Sequence, residues 1–326
     1  MTVVRVGTRG SALALAQTRQ VADSLAKASG LEIELVTITT HGDTATGSLA
    51  QLGGSGVFTG ALRDALLAGE IDVAVHSLKD LPSAEHQQIE LAAVPKRADA
   101  RDVLCARDHL TLDTLPEGAR VGTGSPRRVA QVKAQRPDLQ IVDIRGNIDT
   151  RLGRVFEQTE ADRRLDAVVL AAAGLGRLGR SDAATQHLEL SEWPTAPGQG
   201  ALALETRREK DASAEGRALA KALAAVNHVT TRATVSAERG VLAGLEAGCA
   251  APLGATALVE DGLLFLTATV YKPDGTRQLT SSHAASLEGN GSAALLEAAQ
   301  DASQRVVDEL LANGAASLAP LGGAES

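Results

Sequence analysis

Aromatic side chains are nearly missing from this sequence, which has three Phe, one Trp and one Tyr in 326 residues. Single-stranded nucleic acids are gripped by aromatic stacking platforms, so that class of partner is set aside. With hydrophobic residues still at 44%, the cores must be built from Ala, Val, Leu and Ile. Cysteine is scarce too: two residues cannot make a disulfide framework. No apolar run approaches the roughly 20 residues of a membrane span. Basic residues are outnumbered, and a net charge of -8 argues against a broad polyphosphate-binding surface while leaving room for a small basic pocket. The opening MTVVRVGTRG has no signal-peptide pattern and enters a strand-like stretch at once, so a soluble cytoplasmic protein is expected. HExxH, paired CxxC and clustered histidines are all absent, and no metal site is expected.

At this length two or three domains are expected. The first two-thirds alternates strand-like segments (3–7, 31–38, 71–75, 89–94, 102–106, 120–124, 139–146 and 166–173) with helix-like ones. The helices fall at 11–28, with Ser11 placed as N-cap, at about 57–68, from Pro126 and from about Ile148. Alternation of this kind implies parallel sheets with helices on both faces. WPTAPGQGALALE (193–205) supplies a Pro/Gly break and one more strand. A different pattern takes over in the last third, where GATALVE, LLFLTATVY and TSSHAAS read as an antiparallel meander, followed by a helix over 292–312. That is a separate α+β domain.

Open α/β sheets bind ligands at the carboxyl ends of their strands. Five strand ends here carry cations beside Gly or Ser: TRGS, HSLKDLP, TGSPRR, RGNIDTR and GLGRLG. Backbone N–H groups, helix dipoles and guanidinium forks combine there, which suits carboxylates or phosphates. One arginine after a strand is commonly a surface ion pair. Six of them, Arg9, Arg127, Arg128, Arg145, Arg151 and Arg177, with Lys79, point to a ligand carrying several carboxylates.

Other features compete with structural explanations. GLGRLG fits G-x-G-x-x-G but lacks the strand context of a dinucleotide site. GGSGVFTG (53–60) lacks a P-loop ending and reads as a loop before a helix. Cys105, inside DVLCARD, is expected to be buried and inert. Cys249, in LEAGCAAPLG, is flanked by small or turn-forming residues and follows a helix C-terminus, which does not lower a thiol pKa. An accessible attachment point and an incidental turn both fit it. Asp80 is an acid among cations, either a counter-ion or a partner for a cationic reacting centre.

RVGTRGSALALAQT, GVF, DVAVHSLKDLP, GTGSPRR, DIRGNIDTRL, AAAGLGRLG, PGQGALALE and LEAGCAAPLGA occur in this order over residues 3 to about 260. Together they resemble the hydroxymethylbilane synthase (porphobilinogen deaminase) family. The resemblance implies a transferase of tetrapyrrole and haem biosynthesis. It implies a dipyrromethane cofactor, made from the substrate and thioether-linked to Cys249. Four porphobilinogen molecules would be added stepwise with loss of ammonia, and the chain hydrolysed off as hydroxymethylbilane. Lys79, Thr123, Ser125, Arg127, Arg128 and Arg145 match cofactor-binding positions, and Arg9, Ser11, Arg151 and Arg177 match substrate-binding ones. Asp80 matches the catalytic aspartate, which would hydrogen-bond pyrrole N–H groups and stabilise the azafulvenium-like cation left when ammonia departs.

The same resemblance implies two doubly wound lobes like those of type II periplasmic binding proteins, crossed twice near 95–99 and 193–197, plus the C-terminal α+β domain with a small antiparallel sheet. The expected boundaries are 1–96 with 196–214, then 97–195, then 215–326. A monomer is expected, without nucleic-acid or membrane partners, handing its product to the next pathway enzyme. One departure stands out. Many relatives carry lysines where this chain has Ser55 and Gly60, which puts the substrate contacts of that loop in doubt, with Arg63 nearby. The competing reading is a cytoplasmic two-lobed dicarboxylate-binding sensor in which Cys249 is incidental. A thiol-dependent acyl transferase would want a histidine partner, and no histidine context marks one.

Overall fold

The computed structural model describes residues 3–39, 56–157, 160, 163–209, 211–248, 251–289 and 291–321. The first sheet has the order β2-β1-β3-β10-β4, built from β1 (Val3–Arg9), β2 (Glu32–Ile38), β3 (Val73–Ser77), β4 (Ile89–Ala93) and β10 (Leu202–Arg207). The second has the order β7-β6-β8-β5-β9, from β5 (Asp102–Ala106), β6 (Arg120–Gly122), β7 (Gln140–Val142), β8 (Ala167–Ala171) and β9 (Gln186–Leu188). The chain passes from the first sheet to the second between β4 and β5, and returns between β9 and β10.

That double passage corrects the expectation of parallel sheets. β1 runs parallel to β2 and β3, but β10 is antiparallel to both β3 and β4. Likewise β6 is parallel to β7 and β8, whereas β5 is antiparallel to β8 and β9. The strand that ends each crossing enters its sheet from the opposite lobe and is inserted against the prevailing direction.

Local chemistry sets the helices. In α1 (Ala12–Ser29) the Ser11 side chain accepts from Ala14 N at 3.2 Å, as an N-cap should. The others of the two lobes are α2 (Gly56–Leu67), α3 (Pro126–Gln135), α4 (Ile148–Phe156) and α5 (Ala172–Arg177). The last was not expected from the sequence, and it agrees with setting GLGRLG aside as a dinucleotide loop. GLGR is helical, and a Cβ on Gly174 would press on Ile148 at 2.8 Å, so the glycine serves close packing rather than a phosphate loop. The β7 strand is also shorter than expected, at three residues.

After α6 (Ala214–Val226) comes the C-terminal unit: α7 (Val229–Gly244), the meander β11 (Leu253–Glu260), β12 (Leu263–Tyr271) and β13 (Gln278–Ser286), then α8 (Ser292–Ala312) and α9 (Ala315–Leu318). Its core shows how a chain with few aromatics still packs. Small residues let helices approach closely: a Cβ on Gly240 would meet Ser303 Oγ at 2.6 Å, and one on Gly244 would meet Val307 at 2.8 Å. Ala237, Ala298, Ala299 and Ala302 fill the seam with Val241, Val306 and Leu310.

This unit also fastens the crossings. Glu238 on α7 is fully buried, accepts from Arg97 at 2.6 and 2.9 Å, and takes the N–H groups of Gly198 and Ala257 at 2.8 and 3.0 Å. A Cβ on Gly254 would fall onto the Pro194 carbonyl, so β11 lies directly against the returning crossing. No helix among the described residues is long and apolar enough to cross a membrane.

Candidate active site

On the lobe of the first sheet, β1 ends on Arg9, and β3 ends in a single 3-10 turn, Leu78–Asp80. Asp80 is half-buried and lines a small cavity of about 30 Å³ with Arg9, Gln17, Thr59, His76 and Ser77. Among the described residues nothing hydrogen-bonds or ion-pairs with its carboxylate. Beneath the cavity, His76 Nε2 lies 3.2 Å from Glu205 Oε2, and Arg63 grips Glu205 at 3.0 and 2.7 Å. Burial alone would raise the Glu205 carboxyl, yet His76 and Arg63 hold it down at about 2. Arg63 is therefore committed to Glu205.

On the opposite lobe, Thr123 and Ser125 follow β6 and lead into α3. Thr123 is buried, with its Oγ1 accepting from Ser125 N at 3.2 Å. Arg127 and Arg128, read from sequence as ligand contacts, turn inward. Arg127 donates to Asp102 at 2.9 Å, Gln131 at 2.6 Å and the Pro194 carbonyl at 3.2 Å; Arg128 donates to Asp102 at 2.6 Å and the Val169 carbonyl at 3.0 Å. Asp102 is 0% exposed and also receives Trp193 Nε1 at 3.0 Å and Gln199 Nε2 at 2.8 Å. Burial alone would drive its carboxyl up, but Arg128 and Arg127 outweigh that and keep it well below the ordinary carboxylate range. Burial lowers Arg127 in turn, despite Asp102.

The network spans the cleft. Lys79 Nζ donates to Gln199 Oε1 at 3.2 Å. Burial and the charges of Arg128 and Arg127 bring its pKa down to about 8, against the pull of Asp80 and Asp102. Arg151, whose Nε donates to the Gly146 carbonyl at 2.8 Å, is lowered to about 10 by burial and by Arg128 and Arg145, with Asp143 opposing. Arg145 itself is exposed. Lys79, Arg128, Arg145 and Arg151 thus form one field of positive charge with too few carboxylates to cancel it.

Two further expected contact residues have protein partners of their own. The Ser11 hydroxyl is engaged in capping α1. Arg177 donates to the Gly200 carbonyl at 2.8 Å and lines a separate cavity of about 710 Å³ with Gln20, Ser24 and Lys96, which shares no residue with the cavity at Asp80. Burial lowers its pKa.

Cys249 and Ser55 lie outside the described residues. Leu245, Ala247, Ala251 and Leu253 are buried in the C-terminal core. Cys105 is fully buried, and burial pushes its thiol up to about 12. It is inert.

Sequence reasoning missed Asp102, Trp193, Gln199 and Gln17. One signal was available for Asp102, because a charge opening an otherwise apolar strand must find partners.

Comparison with known proteins decides the family. The model of the porphobilinogen deaminase dipyrromethane cofactor binding domain matches residues 4–215, and that of the porphobilinogen deaminase C-terminal domain matches residues 232–312. The chain belongs to the porphobilinogen deaminase family. Porphobilinogen deaminase from Leifsonia xyli subsp. xyli is 67% identical over 98% of this chain and 95% of its own. Those of Micrococcus luteus (54% identical, 88% and 83% covered) and Streptomyces coelicolor (porphobilinogen deaminase 1; 49% identical, 97% of each) are similar. Among solved structures, the methionine binding protein MetQ overlaps 68% of this chain at 14% identity with a TM-score of 0.41, a depth that bears on neither ligand nor function. As a porphobilinogen deaminase, the chain is a transferase and carries a dipyrromethane cofactor.

Proposed function

We propose that this enzyme condenses four porphobilinogen molecules onto the dipyrromethane held by Cys249, releasing ammonia at each addition, and then hydrolyses the chain to hydroxymethylbilane. The donor set fits the cofactor, whose rings bear carboxylates. Lys79 has a neutral carbonyl as its hydrogen-bond partner, Arg151 has another, and burial depresses both cations. An anionic ligand supplies the missing counter-charge. Lys79, Thr123, Ser125, Arg128 and Arg145 would hold it, with Arg127 fixing Arg128 through Asp102. When bound, the dipyrromethane supplies the pyrrole carbon that each incoming ring extends.

The remaining chemistry falls to the chain itself. Arg9, Ser11 and Arg151 take the acetate and propionate of porphobilinogen, and Arg177 serves a ring farther along the crossing. As the aminomethyl C–N bond breaks, its electron pair leaves with ammonia and positive charge spreads onto the substrate pyrrole. Asp80 accepts the pyrrole N–H and lies against that charge. A preorganised group of this kind is worth about 3 kcal/mol of transition-state stabilisation. The observation carrying the proposal is that the Asp80 carboxylate faces a cavity beside Arg9, with no protein donor among the described residues.

Three units follow from this reading: residues 1–96 with 196–214, residues 97–195, and residues 215–326 carrying Cys249. The enzyme works in the cytoplasm as a monomer and passes its product to the next pathway enzyme. Intact-mass measurement tests the proposal. The purified enzyme should carry the added mass of two linked pyrrole units, lost in Cys249→Ser. An unmodified mass from cells able to make porphobilinogen would favour a dicarboxylate sensor instead.

A further inference from the structure

Gln199 sits in the crossing that returns from the second lobe to the first, and it is 1% exposed. The glycines on either side, Gly198 and Gly200, have φ of +78° and +84°, a region that L side chains rarely adopt. A Cβ at Gly200 would also meet the Ala98 and Asp99 carbonyls at 2.9 and 3.0 Å, so the two crossings touch backbone to backbone here. Between these glycines the Gln199 amide is aimed inward. Its Nε2 donates to the Ala100 carbonyl at 2.9 Å and to Asp102 Oδ1 at 2.8 Å, while Oε1 accepts from Lys79 Nζ at 3.2 Å. Chemistry leaves this amide one orientation: two acceptors on one side demand the NH₂, and an ammonium on the other demands the oxygen.

We infer that Gln199 is a positioning residue, which sets both the place and the charge of Lys79 by tying it across the crossing to Asp102. This deepens the proposed role of Lys79 and rests on that reading. The groups acting on the ammonium are Asp80, Asp102, Arg127 and Arg128, two of each sign. A neutral acceptor holds the lysine without cancelling its charge, leaving that charge for a ligand carboxylate. Glutamate, with nearly the same shape, would neutralise Lys79 and set a second carboxylate against Asp102. An apolar side chain would release the ammonium altogether.

Cyanate labelling tests this, because it reads the free amine of Lys79 and not turnover. The holoenzyme and its Gln199→Glu and Gln199→Met variants are labelled across pH 6–10 and position 79 is followed by peptide mass. Gln199→Glu should slow labelling about tenfold at pH 8, since an added carboxylate favours the ammonium. Gln199→Met should speed it, since the acceptor that favoured the charged form is gone. A merely structural residue would move both variants in the same direction or neither. Wild-type labelling in either folded variant overturns the inference. Should Gln199→Glu fail to fold, Gln199→Met decides alone, because it adds no charge. A preparation that failed the intact-mass test would still report on Gln199, so the two claims fail separately.

Discussion

Two carboxylates act on the same cation, Lys79, and the fold treats them in opposite ways. Asp102, at the base of the second lobe, is sealed from water and receives four side chains: two guanidinium groups, an indole and an amide. Asp80, at the lip of the first lobe, is half-buried and receives none among the described residues. Donors pack around Asp102, and none among the described residues reaches Asp80, the acid proposed to meet the reacting group. Proximity to arginine therefore does not separate a structural acid from a catalytic one. The count of protein donors does.

The comparison breaks most visibly if Asp102 is altered. Asp102→Asn leaves two buried guanidinium groups without their counter-charge and should cost about 3–5 kcal/mol of stability, read as a lower melting temperature or insoluble protein. Asp80→Asn should melt with the wild type, because no internal bond is lost. Equal destabilisation of both variants would erase the distinction.

Acid should separate them as well. The folded Asp102 carboxyl titrates below its unfolded value of about 3.9, so its contribution is complete above that pH and is lost as pH falls below it. Denaturation followed from pH 5 downward should steepen in the wild type and flatten in Asp102→Asn, once that variant's lower starting stability is allowed for. Lys79 also makes stability rise with pH, but because folding penalises its charged form rather than favouring it. Its folded value, about 8, lies below the unfolded one near 10.4, so the buried charge opposes folding below pH 8 and is relieved as pH rises through that window. In the unloaded Cys249→Ser protein, stability should gain a rising component between about pH 8 and pH 10, absent when Lys79→Met is added. The smallest effect belongs to the missing cations. A Cβ at Gly60 meets open space, so Gly60→Lys should fold and gain about 0.5–1 kcal/mol as a helix residue, while KM for porphobilinogen falls modestly. A rise in KM would mean that the loop does not face substrate.

Much of this was legible in the sequence, for definite reasons. Period and capping residues placed most elements within two residues, Ser11 and Pro126 among them, because those signals are local. Strand direction was not legible: β5 and β10 read like any other strands, and only the double crossing makes them antiparallel. Arg127 and Arg128 were placed near a ligand because they follow a strand end, but the protein partners that fix them were not legible. Those partners, Asp102, Gln131, Pro194 and Val169, include residues up to 67 positions away. Gln199 had no local signature beyond its flanking glycines, since its meaning lies in what the crossing brings to it.

Ammonia release by Asp80→Asn, in protein whose intact mass proves that the two-ring adduct is in place, bears most directly on the central claim. A reserved carboxylate predicts release slowed about 10²–10³-fold with an unchanged melting temperature. Release at a rate close to that of the unaltered enzyme would show that the transient positive charge is met by some other group.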